Sequence, residues 1–205
     1  SYDIAIVVDD TIRTYGHRPG NYGAHYSLDG SYLGTTYTNN VANRFLDATT
    51  DGEYIYAWNY DTKTAYRFDL NWSNAQTMFT LTTRMLGITY DPTDNTLWLG
   101  AWGSSVIEKY SLTGQELLSF SIVDSSAGAL ALDHADGTLW YSAGSGDTFR
   151  QYSKTGVHLD TLSFPTAGAN YGGEFSFTKA YIPELNTIFL LVLSLLAGFF
   201  VYKRG

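Results

Sequence analysis

Residues 86–122 read LGITYDPTDNTLWLGAWGSSVIEKYSLTGQELLSFSI. Leu86 to Tyr90 is an apolar run, closed by the turn cluster Asp91-Pro92-Thr93-Asp94-Asn95. Thr96 to Trp102 alternates and is rich in β-branched and aromatic residues, and Gly103-Ser104-Ser105 turns the chain again. Val106 to Tyr110 is a third strand, and Thr113-Gly114 makes a tight hairpin into a fourth, Leu117 to Ile122. Four strands in about 40 residues is the size of one propeller blade.

The stretch is one copy of a repeat. Tyr110-Ser111-Leu112-Thr113-Gly114 returns 42 residues later as Tyr152-Ser153-Lys154-Thr155-Gly156. Stepping back by the same interval gives Phe68-Asp69-Leu70-Asn71, then Tyr26-Ser27-Leu28-Asp29-Gly30. Ile55-Tyr56, Leu97-Trp98 and Leu139-Trp140 keep that step, as do Gly87 to Asp91 and Ala129 to Asp133. Several anchors with one spacing point to duplication. An antiparallel sandwich also has short strands, but regular repetition favours the propeller. The fold expected is all-β: a β-propeller of four-stranded blades, about four in number, closed by a C-terminal strand and followed by a hydrophobic helix.

The two chain ends carry the closure. Ile4 to Val8 reads as a second strand and Thr11 to Tyr15 as a third, with an insertion from Gly16 to Ala24 and no first strand. Gly173 to Phe177 stands past the last repeat with no blade after it. It is expected to supply the missing strand beside residues 4–8, so that no edge is left unpaired. Residues 1–178 are thus the propeller domain, 179–187 a linker and 188–205 a transmembrane helix with a basic end.

Net charge is −8, and basic residues cluster only at Lys203-Arg204. A nucleic-acid partner needs a basic face, so none is expected. Cysteine is absent, which excludes disulfides, thiol chemistry and cysteine-ligated metal. Ile188 to Tyr202 is apolar apart from Ser194 and Tyr202. It is at the short end for a membrane span, which takes about 20 residues. The cations after it would stay in the cytoplasm and place the propeller outside. An exported chain needs an N-terminal signal; Ser1 then marks either a processed terminus or the start of a fragment.

The blade pattern Tyr-Ser-x-Thr-Gly-x-x-Leu resembles the broad NHL and lactonase-like propeller repeats over about residues 4–164. That resemblance implies architecture and not activity. Pro183-Glu184, the hydrophobic span and the basic Lys203-Arg204 end together resemble the PEP-CTERM family of sorting signals. The family's third position is Pro, where this chain has Leu185. The resemblance implies export, transient membrane anchoring through residues 188–202, and cleavage near Pro183-Glu184 by a sortase-like enzyme. Delivery to the cell surface or extracellular matrix of a prokaryote would follow, in bacteria commonly beside exopolysaccharide production.

No catalytic constellation stands out. His17, His25, His134 and His158 lack metal-ligand spacing, and there is no Gly-x-Ser-x-Gly elbow or phosphate loop. Asp91 and Asp133 are equivalent positions, as are Asp94 and Asp136. Their Asp-x-x-Asp spacing suits an oxygen-ligated cation such as Ca2+, and equally the capping of turn amides. Trp58, Tyr60 and Trp102 lie at or beyond second-strand ends, where a flat ring stacks on a sugar or packs between blades. Asn71-Trp72-Ser73 is a glycosylation sequon on a turn. The leading expectation is a non-catalytic interaction module for polysaccharide or an envelope protein. The alternative is a secreted lactonase- or hydrolase-type enzyme with a divalent cation in its channel.

Overall fold

The computed structural model describes residues 3–16, 22–38, 41, 44–143, 147–164 and 172–175. Their strands form four antiparallel sheets of four. Blade 1 holds β1 (Asp3–Val8), β2 (Thr11–Gly16), β3 (Tyr22–Ser27) and β4 (Tyr32–Thr38). Blade 2 holds β5 (Phe45–Thr50), β6 (Tyr54–Asn59), β7 (Thr64–Asp69) and β8 (Gln76–Thr80). Blade 3 holds β9 (Met85–Asp91), β10 (Thr96–Ala101), β11 (Val106–Ser111) and β12 (Glu116–Ser121). Blade 4 holds β13 (Ala127–Asp133), β14 (Thr138–Ala143), β15 (Thr148–Tyr152) and β16 (His158–Ser163). The protein is an all-β propeller of four blades.

Within each blade the strands follow in chain order, so each connection is a hairpin. The inner strands pack side by side in the order β1, β5, β9, β13. β9 is buried along its whole length because blades 2 and 4 cover both its faces. Its outer counterpart β12 is exposed at nearly every position. Each fully buried Leu or Ile of the core, such as Leu97, Leu99 and Ile88 at 0 % exposure, contributes about 1.5–3 kcal/mol.

The inner strands do not pair through their backbones, yet their amides must be satisfied. Side chains do it. Asp47 on β5 accepts from the Ile88 amide (2.9 Å) on β9, and Thr49 accepts from the Tyr90 amide (3.0 Å). One step on, Thr89 of β9 accepts from the Leu132 amide (3.0 Å) on β13. Thr49 and Thr89 are equivalent positions, opposite Tyr56 and Trp98 in their own blades, so one lacing device serves two junctions.

A second device locks the outer parts. The Tyr110 ring stacks on Phe79 of the preceding blade, with centroids 5.8 Å apart, and Tyr152 stacks on Phe120 at the same 5.8 Å. The following glycine turn lies on the same ring. A Cβ at Gly114 would stand 2.5 Å from the Phe79 Cβ, and one at Gly156 would stand 2.7 Å from the Phe120 Cβ. Only glycine permits that approach, and φ is +86° at both. Blade 2 has no such glycine. Its turn residue Trp72 is buried instead against Tyr15 of blade 1, with ring centroids 4.9 Å apart.

Two expectations need correction. Blade 1 is complete: β1 is its first strand, not its second. The β1–β2 turn is shortened to Asp9-Asp10, both at positive φ (49° and 57°), where blade 2 spends three residues and blades 3 and 4 spend four. That short turn disguises the register of the first repeat. The closing strand is also not formed. Gly172 to Phe175 make no strand and do not pair with β1; Ser176 and Phe177 lie outside the described residues. The segment instead crosses the inner strands, where the Gly173 amide donates to Asp47 (3.1 Å) and Thr89 donates to Glu174 (3.0 Å). Among the described residues, no packing like that between neighbouring blades joins β13 to β1.

The hydrophobic stretch 188–202, Pro183-Glu184 and Lys203-Arg204 lie outside the described residues. Among the described residues, no helix is long and apolar enough to cross a membrane.

Candidate binding site

The sequence-chosen acids sit where the turns require them. Asp91 and Asp133 each accept from the amide two residues on, Thr93 (3.1 Å) and Ala135 (2.8 Å). Asp94 and Asp136 accept from the hydroxyls of Thr96 and Thr138. Asp91, Asp133 and Asp136 make Asx-type turns, and Asp91, Asp94 and Asp136 also take partners from other strands or turns. Asp91 is 0 % exposed and meets Lys154 Nζ at 2.7 Å, with Trp98 Nε1 donating at 3.1 Å. Lys109 bridges Asp91 and Asp94. Burial raises the Asp91 carboxyl, but the bonds from Lys154, Trp98 and Thr93 outweigh it and hold the pKa at about 2. Lysines supply the charge that a metal ion would otherwise have to bring. Among the described residues, no group of three or more His, Asp or Glu is placed to hold a metal ion.

The aromatic trio does not form a platform either. Trp58 is 1 % exposed and packs against Phe79. Tyr60, 8 % exposed, lies between the guanidinium groups of Arg44 (4.6 Å) and Arg84 (5.1 Å). Trp102 alone of the three is half-exposed. Two of the three rings are consumed by packing. Asn71 is exposed on its turn, as its sequon requires, while Trp72 is wholly buried. His17 lies outside the described residues; His134 is half-buried in the β13–β14 turn, and burial lowers its pKa.

The site that sequence reading missed is the side of blade 4 that no neighbouring blade covers among the described residues. A cleft of about 470 Å³ opens there. Ala129, Ala131, Trp140, Phe149, Leu162, Phe164, Glu174 and Phe175 are among its lining residues. Leu162 is 38 % exposed and Phe164 52 %, and the rings of Phe149 and Phe164 meet edge-on at 5.9 Å. The repeat explains this surface. Trp140 is the equivalent of Tyr56 and Trp98, and Phe149 pairs with Leu162 as Ile107 pairs with Phe120. In blades 2 and 3 those side chains lie under the next blade; in blade 4 they face a groove.

Glu174 lines the cleft, and a second carboxyl, Asp47, lies buried beside it. Asp47 is 2 % exposed, and burial pushes its pKa up against the amides of Ile88, Gly173, Leu130 and Ala48. Glu174 is pushed up by burial and by the neighbouring Asp47, against hydroxyl donors from Thr49 and Thr89. The arrangement offers an apolar aromatic wall with an acidic corner, a combination suited to holding a partner's apolar surface.

No family model matches the chain, and no curated protein does. Solved structures match in fold. Selenomethionine-substituted virginiamycin B lyase from Staphylococcus aureus superposes with a TM-score of 0.57 at 16 % identity, over 80 % of this chain and 56 % of its own. A streptogramin B lyase gives 0.57 at 13 % identity, over 82 % and 55 %. A chain of a nidogen/laminin complex gives 0.66 at 13 % identity, over 85 % and 68 %. The chain therefore spans just over half the length of the lyases it matches. At such identity the likeness establishes the β-propeller fold and nothing of activity.

Proposed function

We propose that this chain is an exported, surface-displayed β-propeller that works as a non-catalytic interaction module, held at or sorted from the membrane through residues 183–204. The binding surface is the aromatic side of blade 4. The observation that carries this reading is the cleft lined by Trp140, Phe149, Leu162 and Phe164, an apolar face that the same fold covers at its other junctions. Exposed faces of this kind mark interaction sites. The partner lies among envelope proteins or extracellular polymers, reached by an anchored or shed form of the chain.

Two measurements test it. The intact mass of the protein from membrane and shed fractions shows whether a C-terminus near residues 182–187 exists, as cleavage at Pro183-Glu184 requires; a chain ending only at Gly205 removes the sorting step and leaves an anchor. Phe164→Glu should release the chain from its envelope partner in pull-downs with envelope extracts while leaving the circular dichroism spectrum unchanged. Unchanged retention would remove blade 4 as the binding face.

A second reading rests on the two carboxyls, Asp47 and Glu174, at the channel: a lactonase- or hydrolase-type enzyme with a channel cation. Calcium would then raise the melting temperature, because a ligand bound only by the folded state must stabilise it. No response to any divalent ion removes that reading.

A further inference from the structure

The outermost blades carry the two complementary halves of a junction that the chain uses internally. At the blade 2–3 junction, Tyr110 stacks on Phe79 and the Gly114 turn lies against the same ring. At the blade 3–4 junction, Tyr152 and Gly156 do this to Phe120. The repeat equivalent of Phe79 and Phe120 in blade 4 is Leu162, which pairs across the sheet with Phe149 as Phe79 pairs with Ala65 and Phe120 with Ile107. Leu162 is exposed. The equivalents of Tyr110 and Gly114 in blade 1 are Tyr26 and Gly30. Gly30 has the same φ, +85°, yet a Cβ there would meet nothing within 4 Å. Leu28, the equivalent of the partly buried Leu112, is 58 % exposed. On the same side of blade 1, Val7, Ile12 and Tyr26 are only half-covered.

Blade 1 thus presents a tyrosine, a glycine turn and an apolar strand face that, among the described residues, receive no ring. Blade 4 presents the ring-bearing face with, among the described residues, no turn upon it. We propose that blade 4 of one copy docks on blade 1 of a second copy, so that two chains close a single eight-bladed ring through two identical junctions. This inference rests on the reading of blade 4 as a binding face and names its partner. Eight blades lie within the range propellers adopt. The chain covers 55–56 % of the lyase chains and 68 % of the nidogen/laminin chain, so those propellers continue beyond the part that four blades match. The contact is head-to-tail, and a head-to-tail contact yields a closed assembly when its rotation completes a circle.

The test uses the full 205-residue chain in mild non-ionic detergent, with mass read by sedimentation equilibrium. At about 20 μM, where contacts of micromolar strength are populated, the expected particle is twice the 22.7 kDa of one chain. Leu162→Glu on blade 4 and Tyr26→Glu on blade 1 should each weaken association at least about tenfold, as loss of a central contact does. Phe164→Glu is the second blade 4 variant, and unchanged circular dichroism shows that each variant folds. Mixing the Leu162→Glu and Tyr26→Glu chains restores one intact junction, so a one-to-one complex should return.

Three results would overturn the proposal. A monomer at that concentration means that the chain's own remaining residues, or another partner, cover the face. A dimer that survives Tyr26→Glu but not Leu162→Glu means that two blade 4 faces meet each other. Open-ended particles mean that the junction forms but the ring does not close. In the first case, a Phe164→Glu chain that still loses its envelope partner leaves the binding face standing and removes only the second copy; a chain that keeps the partner removes both.

Discussion

Replacing Asp91 with Asn takes one negative charge from a carboxyl that is 0 % exposed, where Lys154 Nζ meets its two oxygens at 2.7 and 2.9 Å. Lys154 belongs to blade 4 and Asp91 to blade 3, so the substitution also cuts a tie between blades. In the folded protein the Asp91 pKa is held at about 2, against an ordinary 3.8. Converted at about 1.4 kcal/mol per pH unit, that gap is roughly 2 kcal/mol of stability. Stranding two lysines near an uncharged amide adds to the loss, so Asp91→Asn should cost about 2–4 kcal/mol at pH 7. The sign follows from linkage. A lowered carboxyl pKa stabilises the fold above the unfolded value of 3.8, and the contribution fades as pH falls through the folded value near 2. The charge-dependent part should be complete at pH 6, about half remaining at pH 3, and under about a fifth at pH 2. Urea unfolding followed by tryptophan fluorescence, with wild type and variant compared at each pH, reads this directly. A gap of equal size at pH 7 and pH 2 would refute the charge argument, and no gap at pH 7 would mean that desolvation cancels the pair.

Trp98→Phe and Trp58→Phe remove similar volume, but Trp98 donates its indole N–H to Asp91 at 3.1 Å, while Trp58 Nε1 has no acceptor among the described residues. Trp98→Phe should therefore cost about 1.5–3 kcal/mol more in urea titrations, and equal losses would contradict this. Gly156→Ala forces a Cβ to 2.7 Å from the Phe120 Cβ, whereas Gly103→Ala, also at positive φ, meets open space. The expected costs are about 1 kcal/mol for Gly103→Ala and about 3 kcal/mol or more for Gly156→Ala, read by thermal melts. Because burial raises the Glu174 pKa, the folded state takes up protons there, so ionising it above its unfolded value works against folding. Glu174→Gln should then be at least as stable as wild type at pH 8, with the advantage vanishing by pH 4; a variant weaker at both pH values would show that the carboxylate itself is needed.

The repeat was legible because it is written in residues that packing cannot exchange. The sequence reading placed strands at 86–90, 96–102, 106–110 and 117–122, and β9 to β12 fall there within a residue or so. Tyr110, Tyr152, Gly114 and Gly156 recur because each ring and turn must fit the blade before it. Blade 1 was misread because the Asp9-Asp10 turn breaks the interval on which the alignment depends. The closing strand failed for a different reason. Glu174 and Gly173 are held by Thr89 and Asp47, long-range side-chain contacts that no local pattern announces. Burial of Trp58 and Tyr60 depends on Phe79 and on two arginines, so their position at a strand end could not separate a sugar platform from a packed ring. The open face of blade 4 is invisible to a repeat analysis, since its residues look like those that other blades bury.

The contrast between the buried inner strands and the bare outer ones also fixes a sequence of lifetimes. β9 and β10 are buried throughout, whereas β16 is exposed at all six positions. Amide protons at the hub open only when the whole structure does, while those at the circumference escape through local fraying. Deuterium should thus enter from the outside inward, reaching β12 and β16 first and β9 last. Evolution meets the same gradient: the circumference can drift without touching the hub, so new surfaces can be tried there at little risk to the fold.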